Sequence, residues 1–153
     1  IMFYCSEKEA NIKVPDFEIK DSEGIGFTKD DFEGKVLCVV FNPEYTREIN
    51  KKIKQLPDIN NNVAIATVIE KNKMFHNPEK LKDYKQKYNF DFKLYYDGKN
   101  YFENIFAKMP YVFIADKEMK IRYVYDIEYF YKGNFFYKKI SERIKMLTAT
   151  TLN

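Results

Sequence analysis

Two uninterrupted apolar runs organise this chain: Val36-Leu37-Cys38-Val39-Val40-Phe41 and Val63-Ala64-Ile65-Ala66-Thr67-Val68-Ile69. Apolar runs without polar alternation predict strands covered on both faces, as at the centre of a parallel sheet. Between them, Ile49, Ile53 and Leu56 recur at i, i+4 and i+7, which predicts a helix opened near Pro43 and closed by Pro57. Asn60-Asn61-Asn62 reads as loop. A second helix is predicted from Asn77-Pro78, with Leu81, Tyr84, Lys85 and Tyr88 on its inner side. A last helix follows Gly133, its apolar face made by Phe136, Ile140, Ile144 and Leu147.

Shorter signals fill the gaps. Phe17 and Ile19 alternate with charges and predict a half-exposed strand; Ser22-Glu23-Gly24 turns it back through Ile25 and Phe27 as a hairpin. Lys29 to Lys35 is a connector in which Gly34 can take a left-handed conformation. Phe92 to Tyr96 is a strand ended by Asp97-Gly98, and a short helical piece runs from Tyr101 to Phe106. Tyr111 to Ala115 and Lys120 to Tyr125 are antiparallel strands joined by a turn at Asp116 to Met119. The alternation predicts one α/β domain over residues 14–147: a central mixed sheet flanked by helices, with an N-terminal β-hairpin. Residues 1–13 read as a polar lead and 148–153 as a tail.

Composition narrows the chemistry. The 153 residues suit one domain, and 45% hydrophobic with 32% charged residues is the balance of a soluble globular protein. A net charge of +3, with Lys51, Lys52 and Lys54 and then Lys80, Lys82, Lys85 and Lys87 scattered along helices, reads as solvated faces rather than a nucleic-acid surface. Tyr123, Tyr125, Tyr129, Phe130, Tyr131, Phe135, Phe136 and Tyr137 crowd one region; core and margin packing is the favoured reading, an exposed partner patch the other. The single histidine, His76, has no second His or Cys beside it, so neither a metal site nor an acyl-transfer triad is expected. Adjacent Asp30 and Asp31 point apart on any regular element, and Gly24-Ile25-Gly26 lacks the third glycine of a dinucleotide loop. No cofactor is called for.

Of the two cysteines, Cys38 sits within the first apolar strand and reads as a small buried hydrophobe. Cys5 follows apolar Ile1-Met2-Phe3-Tyr4 and precedes a polar stretch. That step is similar to the end of a bacterial lipoprotein signal, which makes Cys5 a candidate lipidation site, although the small residues of a lipobox are absent. A frayed apolar terminus is the alternative.

Three segments, Val14-Pro15-Asp16-Phe17-Glu18-Ile19-Lys20-Asp21, Phe32-Glu33-Gly34-Lys35-Val36-Leu37 and Met109-Pro110-Tyr111-Val112-Phe113-Ile114-Ala115-Asp116, resemble in order and spacing the thioredoxin-like redoxin group. This group includes peroxiredoxins and membrane-anchored thiol-disulfide oxidoreductases. The resemblance spans about Val14 to Ile144 and implies a thioredoxin-like sandwich. It also implies that Pro110 is the cis-proline facing the active-site turn, with Met109, Pro110 and Tyr111 forming an edge that pairs with an extended partner segment.

At the turn itself the chain departs from the group. Asn42, Pro43, Glu44, Tyr45 and Thr46 echo the peroxiredoxin Pro and Thr with one residue fewer between them, and the counterpart of the nucleophilic cysteine is Ile49 or Asn50. Neither side chain attacks a peroxide or disulfide. The expectation is therefore a degenerate active-site turn: a redox-inactive binding or accessory module of the bacterial cell envelope, with a protein or peptide partner. Membrane contact would come only through a lipid on Cys5. The alternatives are a thiol oxidoreductase or peroxidase using Cys5 or Cys38 in a non-standard arrangement, and a cytoplasmic location.

Overall fold

The computed structural model describes residues 7–55, 60–106, 108–126 and 134–149. Its strands are β1 (Lys8–Lys13), β2 (Glu18–Asp21), β3 (Gly26–Thr28), β4 (Val36–Val40), β5 (Val63–Glu70), β6 (Leu94–Asp97), β7 (Val112–Ala115) and β8 (Lys120–Tyr125). They form one sheet in the order β1-β8-β7-β4-β5-β6-β2-β3. β4, β5 and β6 run parallel, and the other neighbours are antiparallel. The helices are α1 (Pro43–Lys54), α2 (Pro78–Tyr88) and α3 (Asn134–Thr148).

Side-chain alternation divides the core into two layers. Val36, Cys38 and Val40 of β4 join Val112 and Ile114 of β7 beneath Ile49 and Ile53 of α1 and Phe136, Ile140 and Ile144 of α3. Leu37, Val39, Phe113 and Ala115 face the other way, against Phe17, Phe32 and Phe102. Leu81 of α2 packs with Ile69, Leu94 and Tyr96 in a third cluster. The expected inward faces are borne out at Ile49, Ile53, Leu81, Tyr84, Phe136, Ile140, Ile144 and Leu147, whereas Lys85 joins no core cluster and Tyr88 ends outward and is exposed. Gly34 has φ +85°, the left-handed turn its position required.

The polar lead is corrected. Residues Lys8–Lys13 form an edge strand paired antiparallel with β8, Lys8 opposite Val124 and Ile12 opposite Ile121. Its outward face carries charges, as sheet edges commonly do, and only Ala10 and Ile12 turn toward the core. The opening hairpin forms as expected, β2 pairing with β3 and also with β6. Helix α1 ends at Lys54; Cys5, the Leu56 and Pro57 expected to close that helix, and Tyr129, Phe130 and Tyr131 lie outside the described residues. Of the remaining aromatic cluster, Tyr123, Tyr125 and Phe136 are core and Phe135 is exposed. Among the described residues, no helix is long and apolar enough to cross a membrane.

Candidate functional site at the start of the first helix

Parallel pairing of β4 with β5 places the β4–α1 turn beside the carboxyl end of β5, where open α/β sheets hold ligands. Asn42 caps α1, its Oδ1 accepting the Glu44 N–H at 2.9 Å, and Pro43 takes the first helical position. Glu44 is exposed, Tyr45 half-buried, and Thr46 turns into the core. A cleft of about 430 Å³ opens against this turn, with Asn42 and Glu44 on one side and Glu70, Phe75 and Tyr84 on the other.

Glu70 was not among the expected site residues. It is half-buried, and no hydrogen bond or ion pair from a described residue reaches its carboxylate. Burial, then the nearby carboxylates of Asp97 and Glu103, push its pKa upward. Phe75, from the loop after β5, and Tyr84, from α2, pack their rings edge-on with centroids 5.1 Å apart. The signal for Glu70 was its place at the carboxyl end of the second apolar run.

Beneath the turn, the buried hydroxyls of Thr46 and Thr67 lie 2.7 Å apart, and Thr46 Oγ1 also lies 3.2 Å from the Asn42 carbonyl. A hydroxyl has one proton, so both bonds form when Thr67 donates to Thr46 and Thr46 donates to Asn42. Thr46→Val is expected to cost about 1–3 kcal/mol by orphaning Thr67, and adding Thr67→Val to recover most of it. Urea unfolding of the two single variants and the double variant checks this; strictly additive losses would refute the coupling.

The expected edge at Met109, Pro110 and Tyr111 does meet the turn. The Phe41 N–H donates to the Tyr111 carbonyl at 2.8 Å, and the Tyr45 and Tyr111 rings pack edge-on with centroids 6.0 Å apart. One expectation changes. The Met109–Pro110 bond is trans, since no cis peptide bond occurs among the described residues. Trans is the lower-energy isomer by about 0.5–1 kcal/mol, and here Tyr111 continues straight into β7, its N–H bonded to the Tyr125 carbonyl at 3.0 Å. Both backbone groups of Tyr111 are engaged within the sheet, whereas the backbone at Met109 bonds no other described residue.

None of the turn positions carries a thiol. Ile49, the sequence counterpart of the nucleophile, is 1% exposed and packs into the core beneath α3. Asn50 points away from the cleft, toward a separate groove on the far side of α1. Cys38 is the only cysteine among the described residues; it is fully buried, and desolvation pushes its thiol up to about 12. Among the described residues no group of His, Cys, Asp and Glu is placed to hold a metal ion. His76 is an exposed loop residue, and Asp30 and Asp31 lie in a short 3-10 turn, where Asp31 accepts the Thr28 N–H at 2.7 Å.

The AhpC/TSA family profile matches residues 10–124, three-quarters of the chain. This chain belongs to the AhpC/TSA family. Solved structures with the same fold surround this AhpC/TSA protein. The thioredoxin domain of a thiol-disulfide oxidoreductase from Bacteroides vulgatus is 16% identical, covering 90% of this chain and 99% of that one, with a TM-score of 0.64. An exposed lipoprotein thioredoxin from Streptococcus pneumoniae is 16% identical over 86% of this chain and 99% of its own, with a TM-score of 0.63. A SCO1/SenC family lipoprotein from Bacillus anthracis is 19% identical over 92% and 97%, with a TM-score of 0.62. At such identities the likeness is one of fold. Comparison with curated proteins yields no match. The thioredoxin-like sandwich expected from three short segments is thus the architecture of this AhpC/TSA member.

Proposed function

We propose that this protein is a redox-inactive binding or accessory module of the bacterial cell envelope, taking an extended protein segment at the degenerate turn and the adjacent Met109 edge. The observation that carries this reading is the fate of the thiols. Helix N-termini lower a thiol pKa and make it a nucleophile. Here that position holds Asn42, Pro43, Glu44 and Tyr45, while Cys38 is sealed in a strand. The aromatic cleft beside the turn and the open backbone at Met109 suit recognition of an extended chain without any covalent step. Two fold relatives are lipoproteins, which supports anchoring through Cys5.

The test is a turnover assay run beside alkylation. The full chain is expected to reduce neither insulin disulfides nor peroxide above background, and native Cys38 to react with iodoacetamide only as fast as the protein unfolds. Turnover abolished by Cys38→Ser or Cys5→Ser would establish the oxidoreductase alternative instead. Envelope placement is read separately, by metabolic labelling with a palmitate analogue that is expected to disappear in Cys5→Ser.

A further inference from the structure

A second groove, of about 650 Å³, lies on the other side of α1 and shares no lining residue with the cleft at the helix start. Its charged lining is Arg47, Lys51 and Lys54 against Asp91 alone, and Tyr88 and Phe92 form the opposite wall. All three cations are exposed. The Arg47 guanidinium rests 5.2 Å from the Phe90 ring centroid, which orients it while leaving its N–H groups unbonded among the described residues. Lys51 makes one exposed contact with Glu48 at 3.4 Å, of the kind that contributes little. Tyr88, expected to pack inward, instead presents a half-exposed ring to this groove.

We propose that this groove is a docking site for a short, extended acidic segment of a partner protein. Spacing favours a chain of carboxylates over a single compact anion. Along α1, at about 1.5 Å per residue, Arg47, Lys51 and Lys54 step by roughly 6 and 4.5 Å. Same-face side chains of an extended peptide recur at about 6.6 Å, so acidic residues at alternate positions meet successive cations. A lone dianion would reach only part of this row. The Tyr88 and Phe92 rings cover the apolar stems of such a segment. The reading is independent of the one for the turn.

The test is fluorescence polarisation at low salt with a labelled peptide alternating Glu and Ser, and with a Gln–Ser peptide as the uncharged control. The expected result is saturable binding of the Glu peptide alone, weakened by salt and by about tenfold or more in the combined Arg47→Ala, Lys51→Ala and Lys54→Ala variant. Amide shifts at Tyr88 and Asn89 on titrating the unmodified protein give a second readout that needs no variant. Absence of saturable binding overturns the proposal, as does full affinity in the triple variant. Tighter binding of a single-stranded oligonucleotide of equal charge overturns the assignment to a peptide. Complete competition by millimolar inorganic phosphate overturns it in favour of a compact anion site.

Discussion

In a Cys5→Ser background, Glu44→Cys is expected to alkylate at neutral pH at least about a hundredfold faster than Ile49→Cys, although both place a thiol in the first two turns of one helix. Position 44 is exposed, lines the cleft and sits in the first turn of α1, where the helix dipole favours a thiolate. Position 49 is 1% exposed and shares its core cluster with Cys38, whose thiol burial has pushed up to about 12. A thiol there meets the same desolvation and stays protonated. Replacing Ile49 also removes two buried carbons' worth of packing, so a loss of about 1–2 kcal/mol accompanies it. Rates measured in urea control for that, because the two unfolded chains should react alike. Equal native rates would mean that α1 frays enough to expose its core face, and the account of a turn that keeps its electrostatics but lacks its nucleophile would fail. The expected contrast separates two things the redoxin architecture normally joins: the field at the helix start, retained here, and a residue able to use it.

That separation shows what the chain made legible. β4, α1 and β5 could be read because the apolar runs and the stripe at Ile49 and Ile53 each answer to one local period. The absence of a thiol from the turn needed no structure at all. β1 escaped because Lys8, Glu9, Asn11 and Lys13 face solvent, leaving Ala10 and Ile12 as the whole of its inward pattern. Helical spacing alone misplaces Tyr88: α2 packs through Leu81, while the Tyr88 ring lies against the Tyr84 and Phe90 rings and stays exposed. The cleft was beyond reach for another reason. Glu70, Phe75 and Tyr84 meet Asn42 only because β5 lies parallel beside β4, a pairing over which local periodicity has no say.

The largest stability effect is expected from the ion pair that ties the start of β1 to α3. Arg143 grips Glu7 with two bonds, Nη2 to Oε1 at 2.6 Å and Nε to Oε2 at 2.9 Å, while the Tyr125 hydroxyl donates to Oε2 at 2.6 Å. The guanidinium also lies 4.5 Å from the Tyr123 ring centroid. The Glu7 and Arg143 side chains are only 11% and 23% exposed, so this pair escapes much of the solvent screening that weakens surface pairs. Burial alone would raise the Glu7 pKa, but the bonds from Arg143 and Tyr125 outweigh it and hold the carboxyl below its ordinary 4.5. A folded-state pKa below the unfolded one stabilises the fold above pH 4.5, and the contribution is lost as pH falls through the lower, folded value. Arg143→Met is expected to cost about 2–3 kcal/mol at pH 7 by leaving the half-buried carboxylate with only the Tyr125 hydroxyl bond and the Lys139 charge. Glu7→Gln should cost less, since the amide still accepts from Arg143, and the double variant should lose less than the two singles together. Urea midpoints at pH 7 and pH 3.5 decide the matter: the gap between wild type and Arg143→Met should shrink at the lower pH. A gap that stays constant would show that Arg143 acts through its packing on Tyr123 and not through Glu7. The consequence for function lies at the chain's other end. Glu7 stands two residues after Cys5, so if the domain is tethered there as proposed, this clasp keeps β1 seated against α3 when the anchor pulls.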